Sequence, residues 1–202
     1  MNQDKFEAGV TYHIFNRGNN KENIFLETDN YIYFLGLVEK YLLPICDIYA
    51  YCLLKNHFHI VLRIKDIENL PENIINKLHL PFSNLFNSYS KSINKKYNRT
   101  GSLFQEHLKR KKVESEEYLI QLIAYVHLNP SNHNLIDDFK KYKFSSYNAY
   151  ISTKKSKISK EFIFSLIDFD NFEYWHNEKY LMNKINEEVL KKCKCNIIVL
   201  IS

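Results

Sequence analysis

Cysteine, glycine and proline are scarce in this chain, four of each among 202 residues, and tryptophan occurs once. Cys46, Cys52, Cys193 and Cys195 supply no disulfide framework for a chain of this length. The Cys193-Lys194-Cys195 run could join the other two at a zinc ion, but the wide separation favours free thiols. Long hydrophobic runs are missing too. The most apolar stretch, Tyr41 to Leu54, contains Pro44 and Asp47 and is too short to span a bilayer. Met1-Asn2-Gln3-Asp4-Lys5 carries an acid and no apolar segment, which argues against a signal peptide and makes a cytoplasmic protein the expectation. No internal repeat or low-complexity segment is visible. What remains is an ordinary globular composition, 45% hydrophobic and 25% charged, enough for one domain with a core and an appendage.

Charge and aromatics are unevenly placed. The net charge is +5, and Lys91, Lys95, Lys96, Arg99, Lys109, Arg110, Lys111 and Lys112 fall in one central span. Such a cluster suits a polyanion, although a charge run is commonly a solvated face. Fifteen tyrosines stand among these lysines and other polar residues, and tyrosine can stack on unpaired bases. A bias toward Lys, Asn, Ile and Tyr, as in an AT-rich genome, accounts for most of the Tyr and Asn excess.

Read in order, Val10 to Phe15 is a strand and Asn16 to Asn20 a polar turn. Thr28 or Asp29 caps a helix to about Leu43, with Ile32, Leu35, Val38 and Leu42 on its apolar stripe and Pro44 as its stop. Asp47 to Leu54 and His57 to Arg63 are two strands joined at Lys55-Asn56, since Asn tolerates positive φ. Ile64 to Leu80 is a surface connection. Phe82 to Tyr97 is helical, with Phe82, Leu85, Phe86, Tyr89 and Ile93 inward and Lys91 and Lys95 outward. Leu108 to Val113 is a fourth strand, placing Lys109 and Lys111 on one face and Arg110 and Lys112 on the other. The order strand, helix, strand, strand, helix, strand is that of an α+β ferredoxin-like split βαβ sandwich, an antiparallel sheet with helices on one face. A third helix follows, capped by Ser115 and ended by Asn129-Pro130, with Leu119, Ile123 and Val126 facing the sheet. After Tyr150 the composition shifts to Ser and Lys, so the chain divides into residues 1–150 and a largely helical extension, 151–202, whose role is unreadable.

The chemistry centres on Asn56-His57-Phe58-His59. Alternation along a strand puts His57 and His59 on one face, roughly 7 Å apart at Cβ, with Phe58, Ile60 and Leu62 on the other. A lone His-x-His pair is a weak signal, and packing is the plainer reading. On the third helix Tyr125 and Asn129 lie four apart on one face. If that face meets the histidines, Asn129 can offer an amide oxygen as third metal ligand, and the set suits Mg²⁺ or Mn²⁺ better than a closed zinc site. Tyr125 can then attack a phosphodiester. A phenol has an ordinary pKa of about 10 and needs nearby positive charge, which the metal and lysines would supply. Tyr118, seven residues earlier, competes for the same role, but has Leu122 where Tyr125 has Asn129. His127 falls on another face and reads as packing or support.

Together with Arg99-Thr100-Gly101-Ser102-Leu103-Phe104-Gln105, Tyr125-Val126-His127-Leu128-Asn129-Pro130 and Phe144-Ser145-Ser146-Tyr147, the histidine motif resembles the IS200-like transposases. Within them the chain is similar to the REP-associated tyrosine transposases, single-tyrosine members of the HUH nucleases, over about residues 8–150. The resemblance implies that His57 and His59 bind a divalent metal and that Tyr125 is the nucleophile. It implies cutting of single-stranded DNA near imperfect hairpins, through a 5′-phosphotyrosine. Asn129 as third ligand remains the geometric reading, supported by the family's polar residue one turn beyond the tyrosine. Ser131 departs from the family's Asn-Pro-Val, a change expected to affect packing and not chemistry. Arg17, Asn19 and the span Arg99 to Lys112 are implied DNA contacts, to which the basic cluster adds Lys95 and Lys96. Relatives include helix-exchanging homodimers and monomers, and nothing in the sequence chooses. A non-catalytic hairpin-binding protein and an RNA-binding ferredoxin-like domain, using Tyr49 and Tyr51 to stack on bases, are the competing readings.

Overall fold

The computed structural model describes residues 5–180. Strands β1 (Thr11–Arg17), β2 (Cys46–Leu54), β3 (His57–Ile64) and β4 (Lys109–Lys112) form one antiparallel sheet in the order β2-β3-β1-β4. Helices α1 (Thr28–Tyr41) and α2 (Leu80–Lys96) occupy the intervening connections, which gives the expected split βαβ arrangement. Strand alternation divides the sheet into two working faces. Phe58, Ile60 and Leu62 are buried on one of them, where the Phe58 ring lies 5.4 Å from that of Phe34 on α1 and 5.5 Å from that of Phe86 on α2. His57 and His59 point to the opposite face. There α3 (Glu116–Asn132) packs across β2 and β3.

Three local expectations are corrected. The N-cap of α1 is Glu27, ahead of both expected candidates, Thr28 and Asp29, in a reciprocal capping box with Asn30. The buried stripe of α1 is Tyr31, Phe34, Leu37 and Val38, whereas Ile32 is 58% exposed. The helix is apolar on several sides, and the aromatic set wins because Tyr31 stacks on Phe144 at 3.8 Å and Phe34 meets Phe58. Finally, α3 passes through Pro130 and ends at Asn132. Pro130 has no N–H to give the Val126 carbonyl, and the amides of His133 and Leu135 close the end on the carbonyls of Asn129 and Pro130. The turn at Lys55-Asn56 forms as expected, but neither residue is among those with positive φ.

The sheet's outer edge at β2 is covered by 144–146, through Leu53 N–H to the Phe144 carbonyl and Ser146 N–H to the Tyr51 carbonyl. Beyond it, α4 (Tyr147–Ile151), α5 (Lys160–Leu166) and a helical run over 169–180 pack behind α3. Ile163, Phe172 and His176 are buried there, with Phe172 stacked on Tyr150 at 4.7 Å. Tyr49 is buried against Phe162 of α5, which removes it as a stacking platform for RNA. Cys46 and Cys52 are buried free thiols, whereas Cys193 and Cys195 lie outside the described residues.

A hydrogen-bonded chain joins these layers. The Phe172 carbonyl must accept, so His176 Nδ1 donates to it at 2.7 Å and His176 Nε2 is left as an acceptor. His127 Nδ1 donates to that nitrogen at 2.9 Å, and His127 Nε2 in turn accepts from Ser146 Oγ at 2.8 Å. Ser146 Oγ accepts from Tyr51 N–H at 2.8 Å. Ser146 Oγ also reaches the Tyr51 carbonyl at 3.3 Å, so its single proton is shared between that oxygen and His127 Nε2, with both imidazoles neutral. Burial holds His127 well below the ordinary imidazole value and His176 at about 4. The unfolded chain binds these protons near 6.5 and the folded one does not, so stability is fully present above pH 6.5 and falls as pH drops toward 4. The expected slope is about 1.4 kcal/mol per pH unit for each such histidine. Denaturant unfolding at pH 7, 6 and 5 measures it, and a flat profile would mean that the histidines are charged in the folded protein.

Candidate functional site

His57 and His59 sit where β3 is flanked on both sides, with His59 opposite Phe15 of β1 and Cys52 of β2, and His57 opposite Arg17 and Leu54. Cross-strand partners share a face, so β1 delivers His13, Phe15 and Arg17 to the histidine side. The His57 and His59 rings are 5.3 Å apart. From α3, the ring of Tyr125 stands edge-on to His59 at 5.8 Å and to His13 at 6.4 Å, and is 43% exposed. Asn129 is buried one turn further, donating its amide nitrogen to the Tyr125 carbonyl at 2.9 Å. That bond leaves the amide oxygen as the atom able to donate a lone pair.

Two histidines that sequence reasoning missed belong to this cluster. His13 Nε2 lies 2.9 Å from His59 Nδ1, so one nitrogen carries the shared proton. His133, the C-cap residue of α3, places its ring 4.8 Å from that of His57. Strand alternation with Phe15 could have flagged His13, and the four-residue step from Asn129 could have flagged His133.

All four imidazoles are held below the ordinary imidazole pKa. Burial is the first cause throughout: it brings His57 and His13 to about 4, assisted by the charges of His133 and of Lys111 respectively. His59 is pushed lower still by burial and then by His13, and His133 is lowered by burial and by Arg17. The tautomer of His57 is settled by its neighbour, because Asn56 Oδ1 must accept and His57 Nδ1 therefore donates at 2.7 Å. His57 Nε2 keeps its lone pair. Among the described residues no group of three or more His, Cys, Asp or Glu is arranged to hold a metal ion.

Residues 7–129 match the family described as Transposase IS200 like. The chain belongs to the IS200-like transposase family. A REP-associated tyrosine transposase solved bound to a REP hairpin is similar to this transposase in fold, with a TM-score of 0.59 at 11% identity, covering 76% of this chain and 86% of that one. No curated protein matches. Among the described residues of this family member, no helix is long and apolar enough to cross a membrane.

The remaining basic residues fall into separate groups. Arg17 lies beside His57, and its Nε is buried with no hydrogen-bond partner among the described residues. Lys109 and Lys111 pair with Phe15 and His13 and share the histidine face. Arg110 and Lys112 turn to the other face, onto the Phe6 ring and Glu7. Lys96 and Arg99 are ion-paired with Glu27 and Glu22, while Asn19 and Lys95 are exposed.

Proposed function

We propose that this transposase is a metal-dependent endonuclease and strand transferase acting on single-stranded DNA near hairpins through a 5′-phosphotyrosine. The observation that carries the reading is the Tyr125 ring held edge-on over His59 and His13, half open to solvent, with Arg17 and Lys111 at either end of the row. A hairpin as partner is carried over from the similar REP-associated transposase.

His57, His59 and the Asn129 oxygen would hold Mg²⁺ or Mn²⁺. Neutral imidazoles are the ligating form, the His57 tautomer presents Nε2, and a His59 proton on Nδ1, given to His13, presents Nε2 as well. When bound, such a metal polarises the phosphodiester and neutralises charge in the transition state. The chain's own residues do the rest. Arg17 Nε–H and Lys111 hold the phosphate backbone on either side of Tyr125. The Tyr125 oxygen attacks phosphorus and its proton passes to water; the bond to the 3′ oxygen breaks, and that oxygen leaves as a free hydroxyl. One phosphoester replaces another, so rejoining needs no ATP.

The test is incubation with labelled hairpin-bearing single strands from the DNA flanking its own gene, with Mg²⁺ or Mn²⁺, resolved on a denaturing gel. A covalent adduct is expected. Tight binding with no adduct in either metal would favour a non-catalytic hairpin-binding protein.

The two faces of β4 make a further distinction. Lys109→Ala with Lys111→Ala is expected to lower the salt slope of single-strand binding by about 1.4, roughly 0.7 per phosphate contact. Arg110→Ala with Lys112→Ala should leave the slope nearly unchanged, since those side chains face Phe6 and Glu7. Equal slopes for the two pairs would remove the histidine face from backbone tracking.

A further inference from the structure

Beyond Tyr125 on the side away from Arg17, a cleft of about 370 Å³ opens between β1, β4, α3 and the helical run 169–180. Phe15 lines it from the sheet, its ring 5.8 Å from that of His59, and Tyr118, 41% exposed, lines it from α3. Gln121 adds a carboxamide, which carries both a donor and an acceptor. Lys111 enters from β4 and Lys179 from the C-terminal helix, so two ammonium groups from separate elements border one opening. Tyr125 is itself a wall.

An occupant must therefore lie against the nucleophile, offer a flat face to two aromatic rings, present hydrogen-bonding edges and carry negative charge. The volume is that of a small-molecule site. Stacking rings beside cations is the means by which single-stranded nucleic acid is held. We infer that the cleft is the subsite for the nucleoside adjoining the scissile phosphodiester. Its base lies against Phe15 and Tyr118 within reach of Gln121, and its far phosphate lies between Lys111 and Lys179. The inference rests on Tyr125 being the nucleophile of the proposed function. It also gives the segment beyond the family match of residues 7–129 a part in the site, because Lys179 closes the cleft.

Binding and cleavage are measured separately. The full chain carrying Tyr125→Phe is titrated, by fluorescence anisotropy, with the hairpin-bearing single strands in which one abasic nucleotide is moved stepwise along the sequence. At one position the lost base is expected to cost about tenfold in affinity. With Tyr118→Ala and Gln121→Ala added, that position should cost less than twofold, because the contacts it served are already gone. Lys179→Ala should weaken binding and lower the salt slope. In the wild-type protein, the sensitive position should neighbour the mapped cleavage site. An abasic penalty equally large in the variant, or none at any position, overturns the subsite. Loss of the coupling at one position together with no wild-type adduct would overturn the nuclease reading and retain the base-binding cleft.

Discussion

Tyr125→Phe is expected to remove covalent DNA adducts altogether, at least on the order of a thousandfold in rate, while hairpin affinity stays within a factor of about three. Only a hydroxyl is lost, from a ring that is 43% exposed and makes edge contacts to His13 and His59 through atoms that phenylalanine keeps. Thermal stability should therefore be unchanged. The measurement is adduct formation on a denaturing gel, with peptide mapping of the residual product. Adducts that persist and map to Tyr118, which lines the same cleft two helical turns earlier on α3, would transfer the nucleophile's role to that residue.

His59→Ala should be nearly as severe for turnover and should differ in kind. Loss of a metal ligand forfeits several kcal/mol of transition-state stabilisation, on the order of a thousandfold. The wild-type protein in excess chelator should fall to the same residual rate, and metal added back should rescue the wild type alone. His57→Ala should behave likewise, since the bond from His57 to Asn56 prepares the same kind of nitrogen. Hairpin binding without metal is the control. If it survives in both variants while Mn²⁺ affinity, read by calorimetry, disappears, the histidines hold metal. Unchanged Mn²⁺ affinity would return them to a packing role.

The split βαβ order was legible because each strand and helix repeats its apolar residues at the proper period and is bounded by turn residues. The face of α1 was not, because Ile32 and Leu35 offer as good a helical stripe as Tyr31 and Phe34. Only the tertiary partners Phe144 and Phe58 decide between them. At the site, the alternation of His57 and His59 and the one-turn spacing of Tyr125 and Asn129 are local patterns, and the structure brings Tyr125 against His59. His13 depends on strand pairing over 46 residues of separation and needs the sheet order before it has any meaning. His133 lies beyond a proline that reads as a helix stop. Ending α3 at Pro130 removed the next turn, and with it the residue that meets His57.

The neutral chain from Tyr51 through Ser146, His127 and His176 to Phe172 also constrains how this protein can diverge. The links from Phe172 through His176 to His127 fix the direction of each proton, so neither histidine can reverse its role alone. A single replacement strands a buried polar atom, at roughly 1–3 kcal/mol. Divergent sequences should therefore keep Ser146, His127 and His176 as a set, or exchange all three for apolar residues of similar volume. The helix that carries Tyr125 and the helix that carries Lys179 are thereby bound to a common evolutionary fate.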